Sequence, residues 1–128
     1  MRRELRELQD REQLYRPGRP ELVVAGRTVI LTDDGLTSGA SLEVAVEALR
    51  RQRPRRIVVA LPICARAASD VLSAITDEVL CASAPELFQA VGIWYEDFSE
   101  VSDKEAVELL DRSRLMSFQH SLSAFSRT

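Results

Sequence analysis

The 128-residue chain has the length of one domain, and its apolar share of 45% is enough to bury an ordinary core. A formal net charge of −3 and a pI near 5.2 argue against nucleic acid as the main partner. No apolar stretch is long enough to span a membrane, and the charged start from Met1 to Arg6 lacks the apolar core of a signal peptide.

In chain order, residues 2–15 are strong helix formers with a narrow apolar stripe of Leu5, Leu8 and Tyr15. Arg16-Pro17-Gly18-Arg19-Pro20 stops that helix and forms a linker. Leu22-Val23-Val24 predicts a short strand or edge segment, and Ala25-Gly26-Arg27 a turn into a strand over Thr28 to Thr32. Ser41 to Arg53 reads as a helix with Leu42, Val44, Ala45, Ala48 and Leu49 on its apolar face, ended by Pro54. Ile57 to Ile63 is a continuous apolar run, the pattern of a parallel strand covered on both faces. A helix over Arg66 to Ile75 follows, with Ala67, Ala68, Val71 and Leu72 facing inward, and then a third strand from Glu78 to Cys81.

After Pro85 comes an irregular aromatic segment, Phe88 to Phe98. Ser102-Asp103-Lys104-Glu105 matches a capping box, in which serine and glutamate satisfy orphan amides at a helix start. That helix is expected to reach about Arg114, presenting Ala106, Val107 and Leu110. The serine-rich tail from Leu115 to Thr128 reads as frayed or disordered, with His120 as a solvated residue. Cys64 and Cys81 carry no CxxC or zinc-type spacing and read as buried reduced thiols, which fits a cytoplasmic protein.

The order β-α-β-α-β implies an α/β fold, a partial doubly wound parallel sheet with right-handed crossovers. Residues 1–20 form a helix and linker, 21–114 the α/β core and 115–128 the tail. Strands added in one direction place both crossover helices on one face, leaving only the terminal helices to cover the other. Three strands with apolar, unpaired edges suggest part of a larger doubly wound domain.

The stretch from Val29 to Ser41 carries the chemistry. Ligands of open α/β sheets bind beyond the carboxyl ends of strands, where Asp33 and Asp34 sit. Neighbouring carboxylates repel and tolerate full ionisation best with hydroxyl donors or a cation between them, such as a ribose diol or hydrated Mg²⁺. Gly39 lets the backbone approach an anion, and Thr37, Ser38 and Ser41 add hydroxyl donors at a helix start. The plain alternative is a strand-to-helix turn at Asp34-Gly35 with Ser41 as N-cap. Competing motifs fail: the loop has no P-loop lysine, two glycines rather than the three of a dinucleotide fingerprint, and Gly35 where an aspartyl phosphatase needs its second acid.

This segment resembles the phosphoribosyl diphosphate (PRPP) signature of the type I phosphoribosyltransferases: apolar residues, two acids, three variable residues, Thr-Gly, a small residue, then Thr or Ser. It departs once, with Ser38 for threonine, and keeps the hydroxyl. The flanks from Tyr15 to Pro20 and from Ala90 to Phe98 resemble a bacterial subgroup of the family, so the likeness covers about residues 5–114. The resemblance implies that Asp33 and Asp34 act catalytically by holding the ribose 2′- and 3′-hydroxyls, and that Thr37, Ser38, Gly39, Ala40 and Ser41 hold the 5-phosphate. It implies transfer of the phosphoribosyl group to an acceptor such as a nucleobase, release of diphosphate, and Mg²⁺ as cofactor with PRPP; it assigns no residue directly to the metal. On the acceptor side, Phe88, Val91, Gly92 and Asp97 echo the stretch that reads the base in purine-type members, and Trp94 or Tyr95 could stack instead; the plain alternative is that these aromatics cap the core at the sheet's end.

Members of the family carry an earlier half with a diphosphate loop and a flexible loop. The 28 residues before Val29 read as helix, linker and turn, so the chain resembles the C-terminal half, with the missing half or a second copy as possible partner. The alternatives are a PRPP- or nucleotide-sensing module without turnover, or an inactive fragment.

Overall fold

In a computed structural model of the chain, the described residues are 10–125, the side chains of Leu115 and of residues 117–125 excepted. Expectations for Leu5, Leu8 and the His120 side chain lie outside them. Two compact units emerge, one of Leu22–Phe98 and one of the residues up to Glu21 with those from Ser99 onward.

The first unit is a three-stranded sheet, β1 (Thr28–Thr32), β2 (Arg56–Ile63) and β3 (Glu78–Ser83), in the order β1-β2-β3 and parallel throughout. Val29 pairs with Ile57 and Leu31 with Val59; Val59 pairs with Val79 and Leu61 with Cys81. Taking residues 10–15 as the described part of helix α1, the crossovers are α2 (Ala40–Arg51) and α3 (Arg66–Ile75). Leu42 and Val46 of α2 and Ala68 and Leu72 of α3 close over Ile57, Val59 and Leu61 to form the core. Both helices therefore lie on one face, as one-directional strand addition requires.

Several local expectations are corrected. In α2, Val46 is 2% exposed and Val44 68%, because 42, 46 and 49 share a helix face while 44 and 48 turn away. In α3, Ala68 and Leu72 are buried, and Ala67 and Val71 point outward. Leu22-Val23-Val24 is not a strand: among the described residues no strand pairs with it, and the chain turns at Gly26, whose N–H donates to Arg53 O at 2.9 Å. The apolar run of β2 predicted cover on both faces. On the face opposite α2 and α3 this holds for Val58, 6% exposed, whereas Ile30 of β1 and Leu80 of β3 on the flanking strands are 62% and 52% exposed.

Cys64 and Cys81 are joined as a disulfide, Cα to Cα 6.4 Å, rather than being reduced thiols. Strand register brings them together across β2 and β3, which no local spacing could show.

In the second unit, the Ser102 hydroxyl accepts the Glu105 N–H at 3.3 Å, one half of the expected capping box, and opens α4 (Asp103–Phe125). This helix runs beyond Arg114 into the segment where a frayed tail was expected, since no Gly or Pro between 115 and 125 stops propagation. The last residue of the N-terminal helix is held to it: Tyr15 donates its hydroxyl to Asp103 at 2.6 Å, and Arg114 donates to the Tyr15 carbonyl at 3.3 Å. The carboxylate of Asp103 pushes the Tyr15 hydroxyl above the usual tyrosine range. Among the described residues, no helix is long and apolar enough to cross a membrane.

Candidate functional site

β1 ends at Thr32 and delivers Asp33 and Asp34 to the carboxyl edge of the sheet, both exposed. The Asp33 carboxylate accepts the Asp34 N–H at 3.0 Å, so it folds back onto its own backbone. The chain then dips at Leu36, which is 4% exposed and makes a parallel bridge with Cys64. Its N–H donates to Ile63 O at 3.0 Å and its carbonyl accepts from Ala65 N–H at 2.8 Å. Leu36 thus stitches the loop to the end of β2. Sequence reasoning gave it no role, although a lone leucine among polar loop residues is a signal for such an anchor.

Gly39 stands before α2 with φ at +87°, the left-handed region that favours glycine, and brings no side chain to cap the helix. Ala40 opens the helix and Ser41 is its second residue, so Ser41 is not the N-cap. The first-turn amides face a small open cavity of about 180 Å³, lined by Asp33 and by Gly35 through Leu42. An anion fits this place on two grounds: amide hydrogens without intrahelical acceptors, and the positive end of the helix dipole. The exposed Thr37, Ser38 and Ser41 contribute hydroxyls to the same rim.

The aromatic segment forms a single turn of 3₁₀ helix over Val91–Trp94 and is fastened to the acid loop. Val91 packs against Gly35, with Ile63 on the same side of that glycine. The Tyr95 hydroxyl donates to the main-chain carbonyl of Asp34 at 2.5 Å. Phe98 lies on Gly92 and against the Tyr95 ring, centroids 5.2 Å apart. Of the four acceptor-side residues expected, Val91 is brought against the acid loop. Phe88 is half-buried, Trp94 and Asp97 are exposed, and none of these three lines the cavity. Among the described residues, no group of three or more His, Cys, Asp or Glu side chains could hold a metal ion.

The family model described as "Phosphoribosyl transferase domain" matches residues 4–93, most of the chain. The chain belongs to this family. Two relatives from Mycobacterium tuberculosis, "Putative phosphoribosyl transferase MT0597" of strain CDC 1551 / Oshkosh and "Putative phosphoribosyl transferase Rv0571c" of strain H37Rv, are each 37% identical to it over 112 residues. Those residues are 88% of this chain and 25% of each relative. The crystal structure of TT1426 from Thermus thermophilus superposes with a TM-score of 0.77 at 40% identity, covering 85% of this chain and 52% of that one. The chain therefore spans about a quarter of the length of those relatives and about half of the solved chain. The likeness supports the α/β core expected from the sequence, a partial version of the doubly wound sheet.

Proposed function

We propose that the chain is the PRPP-binding part of a phosphoribosyltransferase. Asp33 and Asp34 hold the ribose 2′- and 3′-hydroxyls, and Thr37, Ser38, Gly39, Ala40 and Ser41 hold the 5-phosphate. The observation that carries this reading is the run from β1 to α2, which sets the Asp33 carboxylate and an uncapped, glycine-led helix start around one cavity, with Asp34 next to it in the chain at the sheet's carboxyl edge.

The transfer breaks the bond between ribose C1 and the diphosphate oxygen and forms one to the acceptor. Diphosphate leaves with the bonding pair. The ribose becomes cation-like on the way, so carboxylates fixed beside it stabilise the charge as it develops. Mg²⁺ bound with PRPP would supply charge neutralisation for the leaving diphosphate, and the acid pair of Asp33 and Asp34 offers the hard oxygen donors that would help to hold it. A nucleobase-like acceptor would approach from the side of Phe88, Val91, Trp94 and Asp97.

Calorimetry with PRPP and Mg²⁺ tests the binding. Heat is expected for the native chain and none for Asp33→Asn combined with Asp34→Asn; a silent native chain, or an unaffected double variant, sinks the reading. Diphosphate release with a panel of nucleobases then tests turnover. A second reading is a PRPP-sensing module that binds without turnover. Binding without diphosphate release would favour it.

A further inference from the structure

We propose that Tyr95 is a positioning residue for the acid pair, tying the acceptor-side segment to the ribose-side carboxylates through its hydrogen bond to the Asp34 carbonyl. The inference rests on the reading of Asp33 and Asp34 as ribose ligands. Tyr95 lies beyond the residues matched by the family model, which end at 93.

The geometry is specific. The carbonyl that Tyr95 holds belongs to the peptide plane joining Asp34 to Gly35. Fixing that oxygen fixes the plane following the Asp34 side chain, and with it the direction in which the carboxylate leaves the backbone. The adjoining Gly35 is closed in on one side by Ile63 and Val91, so the plane is held at its carbonyl by Tyr95 and at its glycine end by packing. Behind Tyr95, the Phe98 ring rests on Gly92 and backs the tyrosine ring, which is itself half-buried. The hydroxyl is thus presented by a braced ring across 61 positions of sequence. Asp33, in turn, accepts the Asp34 N–H, so a shift of the Asp34 backbone moves both acids. Movement of the aromatic segment is thereby transmitted to the two carboxylates.

The test is titration of the full chain with ribose 5-phosphate, followed by NMR of the backbone amides, for the native protein and Tyr95→Phe. The phenylalanine keeps the ring and its packing on Phe98 and removes only the donor. We expect ribose 5-phosphate to bind about three- to tenfold more weakly, the range of one lost hydrogen bond. The Gly35 amide should shift before ligand is added and Tm should fall by a few degrees, while the Gly39 amide stays put. Phe98→Leu, which keeps the hydroxyl but loosens its support, should weaken binding in the same direction by less. An unchanged affinity in Tyr95→Phe, or Gly35 and Gly39 shifting together, overturns the positioning role and leaves the PRPP reading standing. A native chain whose Gly39 amide ignores ribose 5-phosphate removes that reading and this inference with it.

Discussion

Gly35 and Val91 meet so closely that no methyl group fits between them: a Cβ on Gly35 would lie 2.7 Å from Val91 Cγ1 and 2.9 Å from Cγ2. Ile63 Cγ2 stands at 2.7 Å from the same point. Both neighbours are β-branched and stiff at χ1, so neither swings aside freely. Gly35→Ala should therefore destabilise the protein by about 1–3 kcal/mol, as overpacking does, and push the aromatic segment off the acid loop. Adding Val91→Ala makes room, so denaturant unfolding should show the double variant to be less destabilised than the sum of the singles. Additive losses would mean that the two residues do not touch.

Gly39 makes a contrasting case. A Cβ there meets nothing nearer than Glu43 Oε1 at 3.4 Å, an ordinary contact, but the backbone φ is +87°. The cost of Gly39→Ala is therefore conformational, about 1–2 kcal/mol, and Gly39→Asn should cost less because asparagine tolerates this region better. Urea unfolding of the two variants reads the difference. An alanine variant as stable as the native chain would exclude the left-handed conformation at this position.

The disulfide between Cys64 and Cys81 closes a loop across a sequence separation of 17. A cross-link over a loop of this size stabilises by about 3 kcal/mol through the unfolded chain. A reducing agent should lower Tm by roughly 10 °C, and Cys81→Ser should show the lower Tm and no further response to reductant. Since Cys64 bridges Leu36 on the acid loop, reduction should also loosen that loop. A native Tm indifferent to reductant would contradict the pairing.

Much of the site was legible because its signals are local. An apolar run ending in two acids, followed by a glycine before an amphipathic helix, specifies strand, ligand edge and helix start within the single stretch from Val29 to Ser41. Where the reading failed, the decisive contact lay elsewhere in the chain. The choice between Val44 and Val46 as the buried face depends on where α2 meets the sheet, and both are valines. Leu22-Val23-Val24 has strand-forming residues but no strand beside it. Cys64 and Cys81 meet only through the register of β2 on β3. Tyr95 reaches Asp34 from 61 positions away, and nothing in its local pattern marks it over Trp94.

Asp77 should govern the acid limb of stability. It occupies the turn between α3 and β3, where its carboxylate accepts the Ile57 N–H at 2.7 Å and pairs with Arg50 at 3.1 Å. The Ile57 amide, then the Arg50 guanidinium, hold its pKa below the usual aspartate value. Because the folded pKa is depressed, the stabilisation is fully present above the unfolded value, about 3.9, and is lost as pH falls through the folded one. Asp77→Asn cannot titrate, so its Tm should lie below the native Tm at pH 7, and the gap should narrow as pH drops below about 4. Arg50 also donates to the Ile75 carbonyl at 3.2 Å, so Arg50→Met should lower Tm and move the acid midpoint upward, toward ordinary aspartate behaviour. Thermal melts from about pH 2 to 7 decide the matter, and parallel native and Asp77→Asn curves over that range would show that Asp77 contributes nothing through its charge.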